Sequence, residues 1–117
     1  MIDIKKASKQ ELVDLLMVDA CAIEDMIDVR KSATYINEYG NECPLFISGP
    51  ERKIHVHIKL FMRLAEIIKP EIIVIPREIR EGGEYSKRKF IMELCGHKYE
   101  IFMLYTEKEG KEWNLDF

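Results

Sequence analysis

Residues 48–105 carry two hydrophobic periods in succession, and that order narrows the fold more than any other feature of the chain. Ser48-Gly49-Pro50-Glu51 has the spacing of a capping box: the serine oxygen accepts from free N–H groups of the first turn and the glutamate reaches back to the serine amide. Ile54, Ile58, Phe61, Ala65 and Ile68 then recur at steps of four and three, the spacing of one helix face. Pro70 ends that helix, because it has no N–H and its ring collides with the preceding turn. Residues 71–79, 87–95 and 98–105 follow as extended segments. A two-residue turn at Gly96-His97 pairs Leu94 with Tyr99, Met92 with Ile101 and Phe90 with Met103. That register puts six large apolar side chains on one face, as a half-buried sheet requires. Gly82-Gly83 connects this hairpin to the segment before it.

His55-Val56-His57-Ile58 fits either element. As helix it continues the Ile54/Ile58/Phe61 stripe from the cap at Ser48. As strand it points Ile54, Val56 and Ile58 one way and both histidines the other, with a helix only from about Lys59. The capping box favours the helix, which is the reading adopted.

The first third reads as helical. Ser8-Lys9-Gln10-Glu11 is a second capping box, and Leu12, Leu16, Ala20, Ile23 and Ile27 mark an apolar face behind it. Helical spacing continues through Tyr35 and Ile36 to Tyr39, where Gly40-Asn41 offers a left-handed cap. One long helix and two shorter ones are both compatible with this pattern. The short apolar run at residues 43–47 suits an edge strand, since Pro44 keeps it from a sheet centre. The expectation is one α+β domain over residues 1–117: a helical segment at 1–41, a central helix packed on an antiparallel sheet of three to four strands at 42–106, and a tail at 107–117.

With 117 residues, 47% of them hydrophobic and 33% charged, the chain can bury a core without metal or disulfide staples. No apolar run approaches the ~20 residues of a membrane span, and the first residues lack the apolar centre of a signal peptide. Cys21, Cys43 and Cys95 form no C-x-x-C, which fits reduced thiols in a cytoplasm. A sequence pI near 5.7 argues against nucleic acid as the main partner. Charge is uneven: residues 1–47 hold nine acidic and five basic side chains, while residues 48–117 hold twelve and thirteen.

Three pairings in the sequence raise the question of chemistry. His55 and His57 on a strand would aim two imidazoles at one side, but zinc needs a third or fourth ligand. Glu93 and Glu100 face each other across the proposed hairpin, and paired carboxylates can split into acid and base. Cys95-Gly96-His97 sets a thiol near an imidazole, although a hairpin tip provides no cleft. No phosphate loop, nucleophile elbow or H-E-x-x-H occurs. The expectation is therefore a non-enzymatic chain without cofactor or metal.

Three groups of residues are candidates for partner binding. Asp14, Asp19, Glu24, Asp25 and Asp28 form an acidic helix side suited to a basic surface. Arg77, Arg80, Lys87, Arg88 and Lys89 cluster around the Gly82-Gly83 loop, where they would dock a protein or a nucleotide. Trp113, Leu115 and Phe117 either anchor a partner or close the core as a last short strand.

The opening Ile4-Lys5-Lys6-Ala7-Ser8-Lys9-Gln10-Glu11-Leu12-Val13 resembles the start of small orphan proteins from phages and prophages of Firmicutes. The stretch from Ile54 through Leu64-Ala65-Glu66-Ile67-Ile68, and the hairpin around Cys95-Gly96-His97-Lys98-Tyr99, are similar to such proteins as well. Together these segments cover about half the chain; Asp19 to Asn41 has no counterpart. Some members of that group inhibit host defence, anti-CRISPR proteins among them. The resemblance implies a phage-encoded inhibitor in the host cytoplasm that blocks a host protein sterically, and it transfers no catalytic residue. A small-ligand or nucleotide binder using the basic loop at 77–89 is the alternative, and a homodimer is expected because exposed strand edges pair.

Overall fold

The computed structural model describes residues 3–32, 34–44, 51–80 and 83–117. In chain order the elements are α1 (Lys9–Ser32), β1 (Thr34–Ile36), β2 (Glu42–Pro44), β3 (Lys53–His55), α2 (Ile58–Ile68), β4 (Ile73–Arg80), β5 (Gly83–Leu94), β6 (His97–Tyr105) and α3 (Glu107–Glu112). The architecture is α+β. β3 to β6 form one sheet in the order β3-β6-β5-β4, and β1 and β2 form a separate two-stranded sheet.

α1 is one unbroken helix of 24 residues. Its capping box is complete: the Glu11 amide donates to Ser8 Oγ and the Ser8 amide donates to Glu11 Oε1, both at 3.2 Å. Leu12, Leu16, Ala20 and Ile27 are buried along one side and Ile23 packs beside them. The helix does not continue to Tyr39. After Ser32 the chain turns into the antiparallel pair β1–β2, in which Tyr35 faces Cys43. Asn37 makes that turn by accepting on Oδ1 from the amides of Tyr39 and Asn41, each at 3.0 Å, and Gly40 takes the positive φ there. The expected edge strand at 43–47 is present as β2 through Pro44; its remainder lies outside the described residues.

The helix expected from Ser48 starts later. Ser48, Gly49 and Pro50 lie outside the described residues, while Lys53–His55 is a strand and α2 begins at Ile58. β-Branched Ile54 pairs with Ile101 and buries there, and the Val56 amide donates to Phe102 O at 2.9 Å, so β6 captures this segment before a helix can form. His57 caps α2, its Nδ1 accepting from the Lys59 amide at 3.1 Å. Ile58, Phe61 and Leu64 face the core, and the helix stops at Lys69 in left-handed geometry just before Pro70.

β3 runs parallel to β6, so the sheet is mixed rather than wholly antiparallel. The β5–β6 hairpin keeps its predicted face but not its predicted register. Leu94 pairs with His97, Met92 with Tyr99 and Phe90 with Ile101, around a turn at Cys95-Gly96. Both turn residues have positive φ, as a two-residue type I′ turn demands, and glycine takes the second place. The slip of two positions leaves every side chain on its own face, because the side-chain period is two. Glu93 therefore faces Lys98, and Glu100 faces Ile91.

One core joins Leu12, Leu16 and Ala20 of α1, Phe61 and Leu64 of α2, and Phe90, Tyr99, Ile101 and Met103 of the sheet. Phe61 and Phe90 meet with ring centroids 5.3 Å apart. α3 opens with a reciprocal cap between Thr106 and Glu109. Behind it the tail folds back: the Leu115 amide donates to Gly110 O at 2.7 Å and Ser86 Oγ donates to the Phe117 carbonyl at 3.2 Å. Tyr105 Oη donates to Asp116 O beside them.

Candidate functional site

The helices cover one face of the sheet; the other carries Lys53 and His55 of β3, Glu100, Phe102 and Leu104 of β6, and Lys87, Lys89 and Ile91 of β5. Glu100 lies at its centre, only 9% exposed, with Lys89 Nζ at 2.9 Å and Lys87 Nζ at 3.1 Å from its carboxylate oxygens. Burial pushes the Glu100 carboxyl up, but its hydrogen bonds to Lys89 and Lys87 and their charges outweigh that and hold it below the ordinary carboxylate value. His55 stacks on Phe102 at 4.8 Å, and Lys87 Nζ stands 4.6 Å from the same ring. Lys87 and Lys89 are thus spent on an internal carboxylate and a ring, while Lys53 pairs with Glu51 at 3.0 Å.

The basic cluster expected around the Gly82-Gly83 loop is divided by the strands. Lys87 and Lys89 point to the open face, whereas Arg88 donates to Tyr105 Oη at 3.3 Å and lies over that ring. Arg77 covers Phe117 with its guanidinium carbon 5.0 Å from the ring centre. Arg80 closes the backbone pairing opposite Gly83. Lys87 and Lys89 therefore face away from Arg88 across the sheet. The aromatic tail is likewise engaged: Trp113, Leu115 and Phe117 are half-buried against the core, and Phe117 meets Tyr105 edge-on at 6.3 Å.

Asp14, Asp19, Asp25 and Asp28 are exposed on α1, with Asp14 accepting from Gln10 Nε2 at 2.8 Å. Glu24 differs from them. Arg52 Nε binds its two oxygens at 2.7 and 3.2 Å, His97 Nε2 stands 3.6 Å away, and the Arg52 hydrogen bond holds the carboxyl below its ordinary value. One turn earlier on α1, Cys21 Sγ lies 3.6 Å from Cys95 Sγ at the hairpin tip. Tyr99 Oη donates to Ala20 O at 3.1 Å beneath them, and burial raises that phenol.

β4 is the outer strand of the sheet and meets no further strand among the described residues. Its pairing with β5 shifts between Ile75 and Glu78, a bulge at Pro76 and Arg77. Past that bulge the rungs Glu78–Tyr85, Ile79–Glu84 and Arg80–Gly83 lie beyond the last β5–β6 rung, Ser86–Tyr105, so β4 and β5 continue as a two-stranded arm. Ile79 on this arm is 86% exposed, and Ile73 and Val74 at the base of β4 are 44% and 46% exposed. The arm fits an elongated molecule: the radius of gyration is 17.9 Å, against about 13 Å for a compact 100-residue domain.

Set against protein-family models, curated proteins and solved structures, the chain matches none. Its own geometry must carry the functional reading. Among the described residues no three His, Cys, Asp or Glu side chains are grouped to hold a metal ion, and no helix is long and apolar enough to cross a membrane. His55 and His57 go to separate tasks, one stacked on Phe102 and the other capping α2. A concavity of about 880 Å³ opens between the N-terminal segment, α2 and Trp113, lined by Ile4, Met62 and Ala65, by the cations Lys5, Lys59 and Arg63 and by the carboxylates Asp3 and Glu66, the latter 3.5 Å from Arg63 Nη1. The sequence did not point to this concavity, since its walls come from segments far apart in the chain.

Proposed function

We propose that this chain is a non-enzymatic protein-binding module that docks through β4 and the arm β4 forms with β5. The observation that carries the reading is Ile79, a large aliphatic side chain 86% exposed on a two-stranded arm at the end of an edge strand whose base also exposes Ile73 and Val74, one on each face. A strand edge offers unpaired N–H and C=O groups, and an extended segment of a partner satisfies them while its side chains cover the aliphatic ones. Pro76 and the adjacent bulge interrupt the edge and hinder full-length pairing of two copies of β4, which favours a different protein over a second copy. The resemblance to phage inhibitors supports a host protein as the partner, blocked by steric cover. Affinity capture from a bacterial lysate tests this: one protein should be retained by the native chain and lost with Ile79→Asp, and equal retention by both would refute the site. Light scattering at 13.8 kDa rather than twice that mass would exclude self-pairing as the explanation.

A small anionic ligand is the second reading. The concavity beside Trp113 supports it better than the 77–89 loop, because Arg63 lines it with a buried Nε that has no partner among the described residues. A nucleotide or aromatic acid at 100 times its Kd would stabilise the fold by about 2.7 kcal/mol in a thermal-shift assay.

A further inference from the structure

We propose that Cys21 and Cys95 are a redox-active dithiol that closes a reversible intramolecular disulfide between α1 and the tip of the β5–β6 hairpin. Their sulfurs are 3.6 Å apart although the residues are 74 positions apart in the chain, and both are exposed to an oxidant. A disulfide needs the sulfurs at ~2.05 Å, a closure of about 1.5 Å that side-chain rotation supplies without separating the elements. Both anchors are set by other bonds. α1 is held against the sheet at this level by Tyr99 Oη on Ala20 O and by Arg52 on Glu24, and the type I′ turn fixes Cys95 at φ +54°.

Cys95 titrates above its ordinary value, chiefly because its thiol is hydrogen-bonded to Cys21 and then because it is partly desolvated. The two thiols share that hydrogen bond, so they lose their protons one after the other and whichever ionises first is the nucleophile. Written with Cys21 first, its thiolate attacks one sulfur of a small dialkyl disulfide, forming a mixed disulfide and releasing one thiolate. Cys95 then loses its proton to solvent and attacks the Cys21 sulfur, expelling the second thiolate. One S–S bond breaks and one forms; two electrons and two protons pass from the protein dithiol to the small disulfide, which leaves as two thiols. Transient disulfides of this kind are the ones found in reducing compartments.

The test uses the native chain equilibrated in graded mixtures of reduced and oxidised glutathione, quenched with an alkylating agent and read by intact mass and peptide mapping. Two of the three cysteines should be lost to alkylation together, with a linked Cys21–Cys95 peptide, Cys43 still alkylated, and full return of both thiols on adding reductant. Three alkylated cysteines in every mixture would overturn the proposal. So would a glutathione adduct that accumulates on Cys21 or Cys95, a disulfide-linked dimer, or loss of the reaction in Cys43→Ser.

Discussion

Replacing Glu100 by glutamine tests the centre of the open sheet face. Glutamine keeps the shape but removes the charge that binds Lys89 at 2.9 Å and Lys87 at 3.1 Å. The three side chains are 10%, 24% and 13% exposed, so water replaces the lost contacts only in part. Each hydrogen bond to a charged group contributes about 1.5–3 kcal/mol, and glutamine retains one neutral bond of about 1 kcal/mol. Taking the low end for these partly hydrated lysines leaves a net loss of about 2 kcal/mol, below the cost of stranding a fully buried ion. For a domain near 100 residues that corresponds to a fall in Tm of roughly 8–12 °C. Thermal and urea melts at pH 7 measure it, with Glu93→Gln as control, because exposed Glu93 opposite Lys98 should cost under about 0.5 kcal/mol. A Glu100→Gln loss no larger than that of the control would refute the reasoning.

Acid should erase the difference. The Glu100 carboxyl titrates lower in the folded chain than when unfolded, where it sits near 4.3; the unfolded chain binds its proton first, and the contribution is present above pH ~5 and lost as pH falls through the folded value. Melts of native and Glu100→Gln chains should therefore converge at low pH. Gly96→Ala forces a Cβ into φ +75° and should cost about 1–2 kcal/mol by urea titration. Phe61→Ala, at a fully buried position against Phe90, should cost about 3–5 kcal/mol.

Local signals in the sequence predict much of the scaffold and little of the site. The Ser8–Glu11 cap and the Leu12/Leu16/Ala20 stripe specify α1 because their partners lie within a few residues. The three long strands are legible for the same reason, and so is the stop at Pro70. β3 is one of two readings of residues 53–57, and the adopted helix is the wrong one, because Ile54 serves a helix stripe and a strand equally well and only the distant Ile101 decides between them. The hairpin register turned on whether Cys95 would accept positive φ, which hydrophobic pairing does not report. The Glu100 lysine triad followed from that register and could not be seen without it. Cys21 and Cys95 meet only through packing of α1 on the sheet, so no spacing betrays them. The exposure of Ile79 depends on β6 ending short of β5, a difference in strand length that alternation alone does not show.

The docking account is tested most directly by the affinity of the captured partner for the native chain and for Ile79→Asp, measured with both proteins shown by thermal melt to be equally folded. Ile79 is exposed at 86%, so its replacement should leave stability within about 0.5 kcal/mol. Binding should weaken by about 30-fold or more, the ≥2 kcal/mol expected of an interface hot spot. Unchanged affinity in a folded Ile79→Asp chain would contradict the account.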